Sequence, residues 1–242
     1  MTSVRLEPLV ACIMVTGKSD DRLPFAIAAI ASFLRQGYSN KHLLIINTGR
    51  SLEPQSPHIT EILVNDQRLK LGDLRNAGLE EATKLGAKYV AQWDDDDWSA
   101  KDRLEIQTAQ CLATPRSACV LRWQLRYSLI KNSAFNFRWS YNSCPGIPGT
   151  IVHTLEPDIR YPSKARAEDD DFLKLFAPNI FVVDNSPKQK PGPELYIRMY
   201  HGFNTWDENH IMLKAKNMKD DWAVEESQED ELQEFLACLD LR

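Results

Sequence analysis

The sequence predicts an α/β fold, a mostly parallel twisted sheet flanked by helices on both faces. Apolar, β-rich runs such as Leu9 to Thr16 ("LVACIMVT") read as strands buried on both sides. They alternate with segments whose apolar residues recur at helical spacing, as in Leu23, Ile27, Ile30 and Leu34. Strand and helix alternating in this way is the pattern of parallel βαβ units.

The elements follow in order. After Lys18 to Asp21, Pro24 suits the first turn of a helix, where its missing N–H goes unneeded, and Gly37 suits its end. His42 to Asn47 is the second strand, left through Thr48-Gly49-Arg50-Ser51, and a short strand follows at Ile59 to Val64. Leu71, Leu74, Gly78, Ala82 and Leu85 mark the second helix, with Gly86 as its C-terminal cap. Lys88 to Trp93 is the next strand, and Ser99 to Asp102 has the S-x-x-D form of a capping box opening a helix toward Leu112. Beyond Ala118 the pattern loosens. "ACVLRW", "GTIVHTL", "NIFVVD" and "LYIRMYH" read as strands, Asp171 to Phe176 as a helix and Pro187 to Pro193 as a loop. The stretch from Asp220 to Leu241 reads as an amphipathic acidic helix.

Composition narrows the function classes. No run of 18 apolar residues exists, so a transmembrane segment is not expected. The N-terminus lacks the basic head, apolar centre and small-residue site of a signal peptide. Five scattered cysteines fit reduced thiols better than a disulfide framework or a zinc site. No basic stripe interleaves with aromatics, so nucleic acid is not an expected partner. Of the net charge of −5, much lies in the C-terminal stretch from Lys219, and two acid clusters stand out elsewhere, Asp94 to Asp97 and Glu168 to Asp171.

The first cluster poses a physical question. Like charges at 4 Å repel by about 1 kcal/mol in water and about 4 at an effective dielectric of 20. "KYVAQWDDDDWSAK" nonetheless sets four acids between two tryptophans, directly after a central strand. One answer is a solvated loop before a capped helix. The other is a cation. In open parallel sheets ligands bind at the carboxyl ends of strands, and Mg²⁺ or Mn²⁺ takes one or two carboxylates plus ligand phosphates.

The order "VACIMVT", "LLIIN", "LGDLRNAGL", "YVAQWDDDDW" and "AEDDDF" resembles the family 2 glycosyltransferases of the GT-A fold. The combination of "LRNAG" with "WDDDD" about 16 residues further on is its most specific part. The resemblance covers residues 9 to 112 well and 145 to 205 more loosely. It implies one GT-A domain over 1–218, with a nucleotide-sugar-binding half (1–112), an acceptor and catalytic half (113–218), and an acidic helical tail (219–242). By position, Thr16 would line the base pocket, and Asn47 stands where the family has an Asp that bonds uracil. Arg75 matches the Arg beside base and phosphates, a surface helix Arg being the plainer alternative. Asp94 would face the ribose or sugar with Asp95 beside it, and Asp96 of this DxD-type motif would hold the metal. His201 occupies the place of a late His that completes the metal site in several GT-A enzymes. Asp169 aligns with the catalytic base of inverting members, with Glu168 next to it, although acids there also suit a helix start. Gly149 would permit close approach of an incoming sugar.

The activity so implied is hexosyl transfer from a nucleotide-diphosphate sugar, UDP-linked, to an acceptor hydroxyl, with inversion and a divalent cation (Mn²⁺ or Mg²⁺). The acceptor is a saccharide, a lipid-linked molecule or a protein, and the place of work is the cytoplasm or the inner membrane face. Two other classes compete. Sugar-phosphate nucleotidyl transfer needs a Gly-rich basic loop after the first strand, and "TGKSDDR" holds only Gly17. A binding module without turnover would not need both acid clusters.

Overall fold

A computed structural model describes residues 7–17, 19–130, 133–138, 145–185, 195–207 and 226–239. The Pro187 to Pro193 loop, Cys144, His210 and the start of the C-terminal acidic stretch lie outside these residues. The first strands and helices follow the sequence pattern: β1 (Val10–Thr16), α1 (Leu23–Leu34), β2 (Lys41–Asn47), β3 (Ile59–Leu63), α2 (Leu71–Lys84) and β4 (Tyr89–Gln92). Gly86 takes φ +70° just beyond α2, the left-handed cap that a side chain would resist.

Next come β5 (Trp98–Ser99), α3 (Arg103–Ala113), β6 (Ala118–Leu121), β7 (Trp123–Ser128), β8 (Ser133–Arg138) and β9 (Val152–Thr154). The chain continues through α4 (Glu168–Lys174), β10 (Ile180–Val183), β11 (Tyr196–Tyr200) and α5 (Glu226–Cys238). The main sheet has the order β10-β6-β9-β4-β1-β2-β3, and β9 runs against both its neighbours. β1 pairs in parallel with β2 on one side and β4 on the other, so the strand order reverses beside β1. That reversal opens a crevice at the carboxyl ends of these strands.

Alternate residues of the unbroken apolar strands serve opposite faces, which explains why β1 and β2 carry no polar stripe. Cys12, Met14, Leu43 and Ile45 pack with Phe33 of α1 and Leu104 of α3, while Ala11, Ile13, Leu44 and Ile46 pack with Leu74 and Leu79 of α2. A smaller sheet, β5-β11-β7-β8, forms a third core with Phe25 and Ala28 of α1. Leu232 and Phe235 of α5 and the following Leu239 enter that same core, so the described part of the acidic stretch packs against α1.

Three local expectations change. "ACVLRW" divides at Arg122, with β6 in the main sheet and β7 in the small one. Ser99 does not cap α3; it pairs with Tyr196 across β5 and β11, its hydroxyl accepts from Arg103 Nη1 at 2.8 Å, and Asp102 takes the capping position. The helix expected at Asp171 begins three residues earlier at Glu168, which places both Glu168 and Asp169 in its first turn.

Candidate active site

The Asp run is held taut between its two tryptophans. The Trp93 N–H donates to the Ile13 carbonyl at 3.0 Å and its indole N–H to Ala29 at 3.1 Å, both from buried positions. Trp98 is buried in β5, which pairs with Tyr196 and Ile197 of β11. Beneath the run lies buried Arg103, with Nη2 on the Gln92 carbonyl at 3.1 Å and its guanidinium over the Trp93 and Tyr196 rings.

Each carboxylate of the run has its own partners. Asp94 accepts from Arg75 Nη2 at 3.0 Å and Gln92 Nε2 at 3.1 Å, with the Tyr196 hydroxyl at 3.4 Å. Asp95 accepts from Arg22 Nε at 3.1 Å and again from Arg22 Nη2. One oxygen of Asp96 accepts from Arg22 Nη2 at 3.0 Å, His201 Nε2 at 3.1 Å and Asn204 Nδ2 at 3.2 Å. Asp97 accepts from the Tyr196 hydroxyl and from the Met199 backbone N–H at 2.9 Å. The four like charges therefore coexist by division among four neighbouring elements.

Electrostatics sorts them further. Burial and the adjoining Asp96 push Asp95 above the usual carboxylate range, and burial with Asp96 and Asp94 does so more strongly for Asp97. Burial acts on Asp96 in the same direction, but the Arg22 guanidinium and His201 outweigh it and hold Asp96 well below that range. Of these three acids, Asp96 alone is held toward its charged form.

The second cluster faces the first. Ala167 enters α4 at φ +55°, a left-handed turn uncommon for a residue with a side chain, which aims the first helical residues back at β4. Glu168 accepts from Arg75 Nε at 3.0 Å, so one guanidinium bridges Asp94 and Glu168. Burial raises both Glu168 and Asp169, with Arg75 opposing, and raises Asp170 to about 6.

A cavity of about 520 Å³ joins these groups. It is lined by Asp94 to Asp97, Glu168 and Asp169, by Arg22, Arg75, Arg166 and Arg198, and by Thr16 and Gly17 at the end of β1. Phe203 and Trp206 stand on its wall, and the Arg166 guanidinium lies 5.4 Å from the Trp206 ring. Among the described residues, six acids and four arginines line the cavity.

A small annex of about 20 Å³ is lined by Thr16, Gly17, Asn47, Arg50 and Leu52. Asn47 is fully engaged there: its Oδ1 accepts from Gly49 N at 2.8 Å, and its Nδ2 donates to the Arg50 carbonyl at 2.8 Å and to Glu61 at 2.7 Å. Gly17 sits at φ +101°, and a Cβ there would lie 2.1 Å from Asn47 Oδ1. The pocket wall at this end is set by the loop closing on Asn47.

The structure thus brings Thr16, Arg75, Asp94, Asp95, Asp96, Glu168 and Asp169 to one cavity, with His201 buried behind Asp96 and Asn47 in the annex. Gly149 takes a different part from the one expected. A Cβ there would lie 2.9 Å from Asp94 Oδ2 and 3.3 Å from the Tyr196 hydroxyl, so the glycine makes room for Asp94 itself. Arg22, Tyr196, Arg198, Asn204 and Glu61 escaped sequence reasoning. Only Arg22 carried a signal, as the cation of "TGKSDDR" just before α1.

The donor set suits a hard cation in part. Asp95 and Asp96 supply oxygens, and the acid excess favours a cation carried in with an anionic ligand. Among the described residues, no three His, Cys, Asp or Glu side chains form a ready cage for a metal. No helix among the described residues is long and apolar enough to cross a membrane.

Comparison with known proteins bears on the family and the fold. The family model described as glycosyl transferase family 2 matches residues 18–145, more than half of the chain. An uncharacterized glycosyltransferase of Rickettsia conorii is 37% identical over 92 residues, which is 36% of this chain and 15% of that relative's length. Among solved structures, S. aureus TarS 1-349 in complex with UDP-GlcNAc superposes with a TM-score of 0.60 at 13% identity, covering 95% of this chain and 72% of that one. The same protein in complex with UDP gives 0.59 at 13% identity, with coverage of 96% and 80%. At such identity the likeness speaks for the fold, whereas the family match spans the run from β1's exit through the Asp cluster. The chain belongs to glycosyl transferase family 2.

Proposed function

We propose that this chain transfers a hexosyl group from a UDP-linked sugar to an acceptor hydroxyl by a single inverting displacement that depends on Mn²⁺ or Mg²⁺. The observation that carries this reading is the Arg75 bridge, which holds the donor-side acid Asp94 and the base-side acid Glu168 on one guanidinium at the same cavity. The superposable TarS structures hold UDP and UDP-GlcNAc, which supports a uridine nucleotide as donor.

Thr16, Gly17 and the loop around Asn47 form the wall for the base, and Asp94 the wall for the ribose or sugar. Asp96 is the ligand through which a divalent cation would be held, with Asp95 beside it and His201 as a further ligand. When bound, that cation neutralises charge developing on the departing diphosphate. Asp169 takes the acceptor proton as the new bond forms, a task open to a carboxylate within hydrogen-bond reach. Glu168 and Arg75 fix the helix turn that presents it. Phe203 and Trp206 lie where an acceptor would enter, whether saccharide, lipid-linked or protein.

A thermal-shift panel of nucleotide sugars, each with and without Mn²⁺, tests this. A rise in melting temperature with UDP-sugars only when metal is present is expected. A rise indifferent to EDTA would remove the metal from the account.

A further inference from the structure

Arg22 belongs to no sheet and to none of the matched motifs, yet it ties three separate pieces of the cavity together. From the short turn before α1, its Nε and Nη2 reach both oxygens of Asp95, and Nη2 also lies 3.0 Å from Asp96 Oδ2. Its Nη1 donates to the Phe203 carbonyl at 3.3 Å, in the loop that follows β11. The side chain is 15% exposed, so it closes over the carboxylates from the cavity side.

Phe203 also meets His201, through the peptide unit on its N-terminal side. Its N–H donates to His201 Nδ1 at 3.2 Å, so that nitrogen carries no proton. The proton of the neutral ring then sits on Nε2 and is donated to Asp96 at 3.1 Å. A histidine that ligates a cation through Nε2 needs the opposite arrangement, with its proton on Nδ1 and an acceptor facing it. The ring itself is immobilised, stacked on Phe25 with centroids 3.9 Å apart.

We propose that Arg22 is a positioning residue that, alongside the His201 Nε2 contact, stands in for the divalent cation on Asp96 in the unloaded chain. A guanidinium and a divalent cation repel, and they compete for one carboxylate oxygen, so the cation's arrival and the departure of Arg22 are one exchange. Arg22 then also becomes available to the anionic donor in the same cavity. This inference rests on the reading that Asp96 holds the cation.

Mn²⁺ binding to the full chain, followed by the paramagnetic resonance of free Mn²⁺, tests it without reference to turnover. Without nucleotide, Arg22→Gln is expected to bind Mn²⁺ about tenfold more tightly than the unaltered protein, because the competing charge is gone. A purely structural Arg22 would give equal or weaker binding, and that result overturns the proposal. Should Arg22→Gln fail to fold, Arg22→Met also removes the charge while keeping a long unbranched side chain, and tighter Mn²⁺ binding is again expected; unchanged affinity overturns the proposal. If the unaltered protein binds no Mn²⁺ even with UDP present, the cation reading of Asp96 falls, and this proposal with it. If it binds Mn²⁺ with UDP but Arg22→Gln gains nothing without it, only the role of Arg22 falls.

Discussion

Arg75 Nε lies 3.0 Å from Glu168 Oε1, a buried ion pair between residues 93 positions apart. The remaining arm of the same guanidinium holds Asp94 at 3.0 Å. Neither acid cluster is therefore complete without the other, and α2 acts as the strut between them.

Removing that strut leaves two carboxylates in a low-dielectric wall without their cation. Breaking a buried pair from one side costs about 3–5 kcal/mol. Arg75→Gln is expected to lose stability of that order in chemical denaturation, and to lose donor binding with it. Arg75→Lys, which keeps the charge but not the two-armed geometry, recovers only part.

Gly149 offers a subtler probe of the same acid. The Cβ of Gly149→Ala would press on Asp94 Oδ2 at 2.9 Å and on the Tyr196 hydroxyl at 3.3 Å. Overpacking of this kind costs about 1–3 kcal/mol. The expected result is a folded protein with weakened UDP-sugar binding, read by calorimetric titration. Unchanged affinity would show that the position of Asp94 is immaterial to the donor.

His153 sets an acid limit on stability. It is buried between Phe172 and Phe176, its Nδ1 donates to the Thr154 carbonyl at 2.7 Å, and its Nε2 has no partner. Burial lowers its pKa from 6.5 to about 4. The unfolded chain thus takes up a proton below pH 6.5 that the fold refuses until about pH 4. Stability from this group is complete above 6.5 and declines by about 1.4 kcal/mol per pH unit down to about 4, roughly 3 kcal/mol in all. Denaturation curves of His153→Phe across this range are expected to lose that slope.

The first half of the fold was legible because it is local. The apolar runs of β1, β2 and β4 and the helical spacing of α1 and α2 each lie within one short window, and the strand order follows from βαβ connection rules. The second half was not, because it depends on pairings invisible to periodicity. β5 is only Trp98–Ser99 and exists because β11 pairs with it about a hundred residues later. That pairing also removed Ser99 from the capping position that its spacing suggested. The site divides in the same way. Asp94 to Asp97 and Glu168-Asp169 announce themselves as clusters, whereas Arg22, Tyr196 and Asn204 are single polar residues whose roles arise only where distant loops converge. Asn47 could be placed by position beside the base, but not its bonds to Gly49, Arg50 and Glu61, which the loop and β3 supply.

The proposed displacement turns on Asp169 as its base. Burial and the neighbouring Asp94 raise Asp169, so turnover is expected to fall as pH drops through a point above the usual carboxylate range. The direct measurement is UDP release from UDP-sugars with Mn²⁺, comparing the unaltered chain with Asp169→Asn and recording UDP affinity in parallel. Loss of a general base slows reaction by about 10²–10⁴. The account predicts a loss of that size with UDP affinity preserved, while Asp170→Asn keeps most of its rate. Full turnover by Asp169→Asn would contradict it.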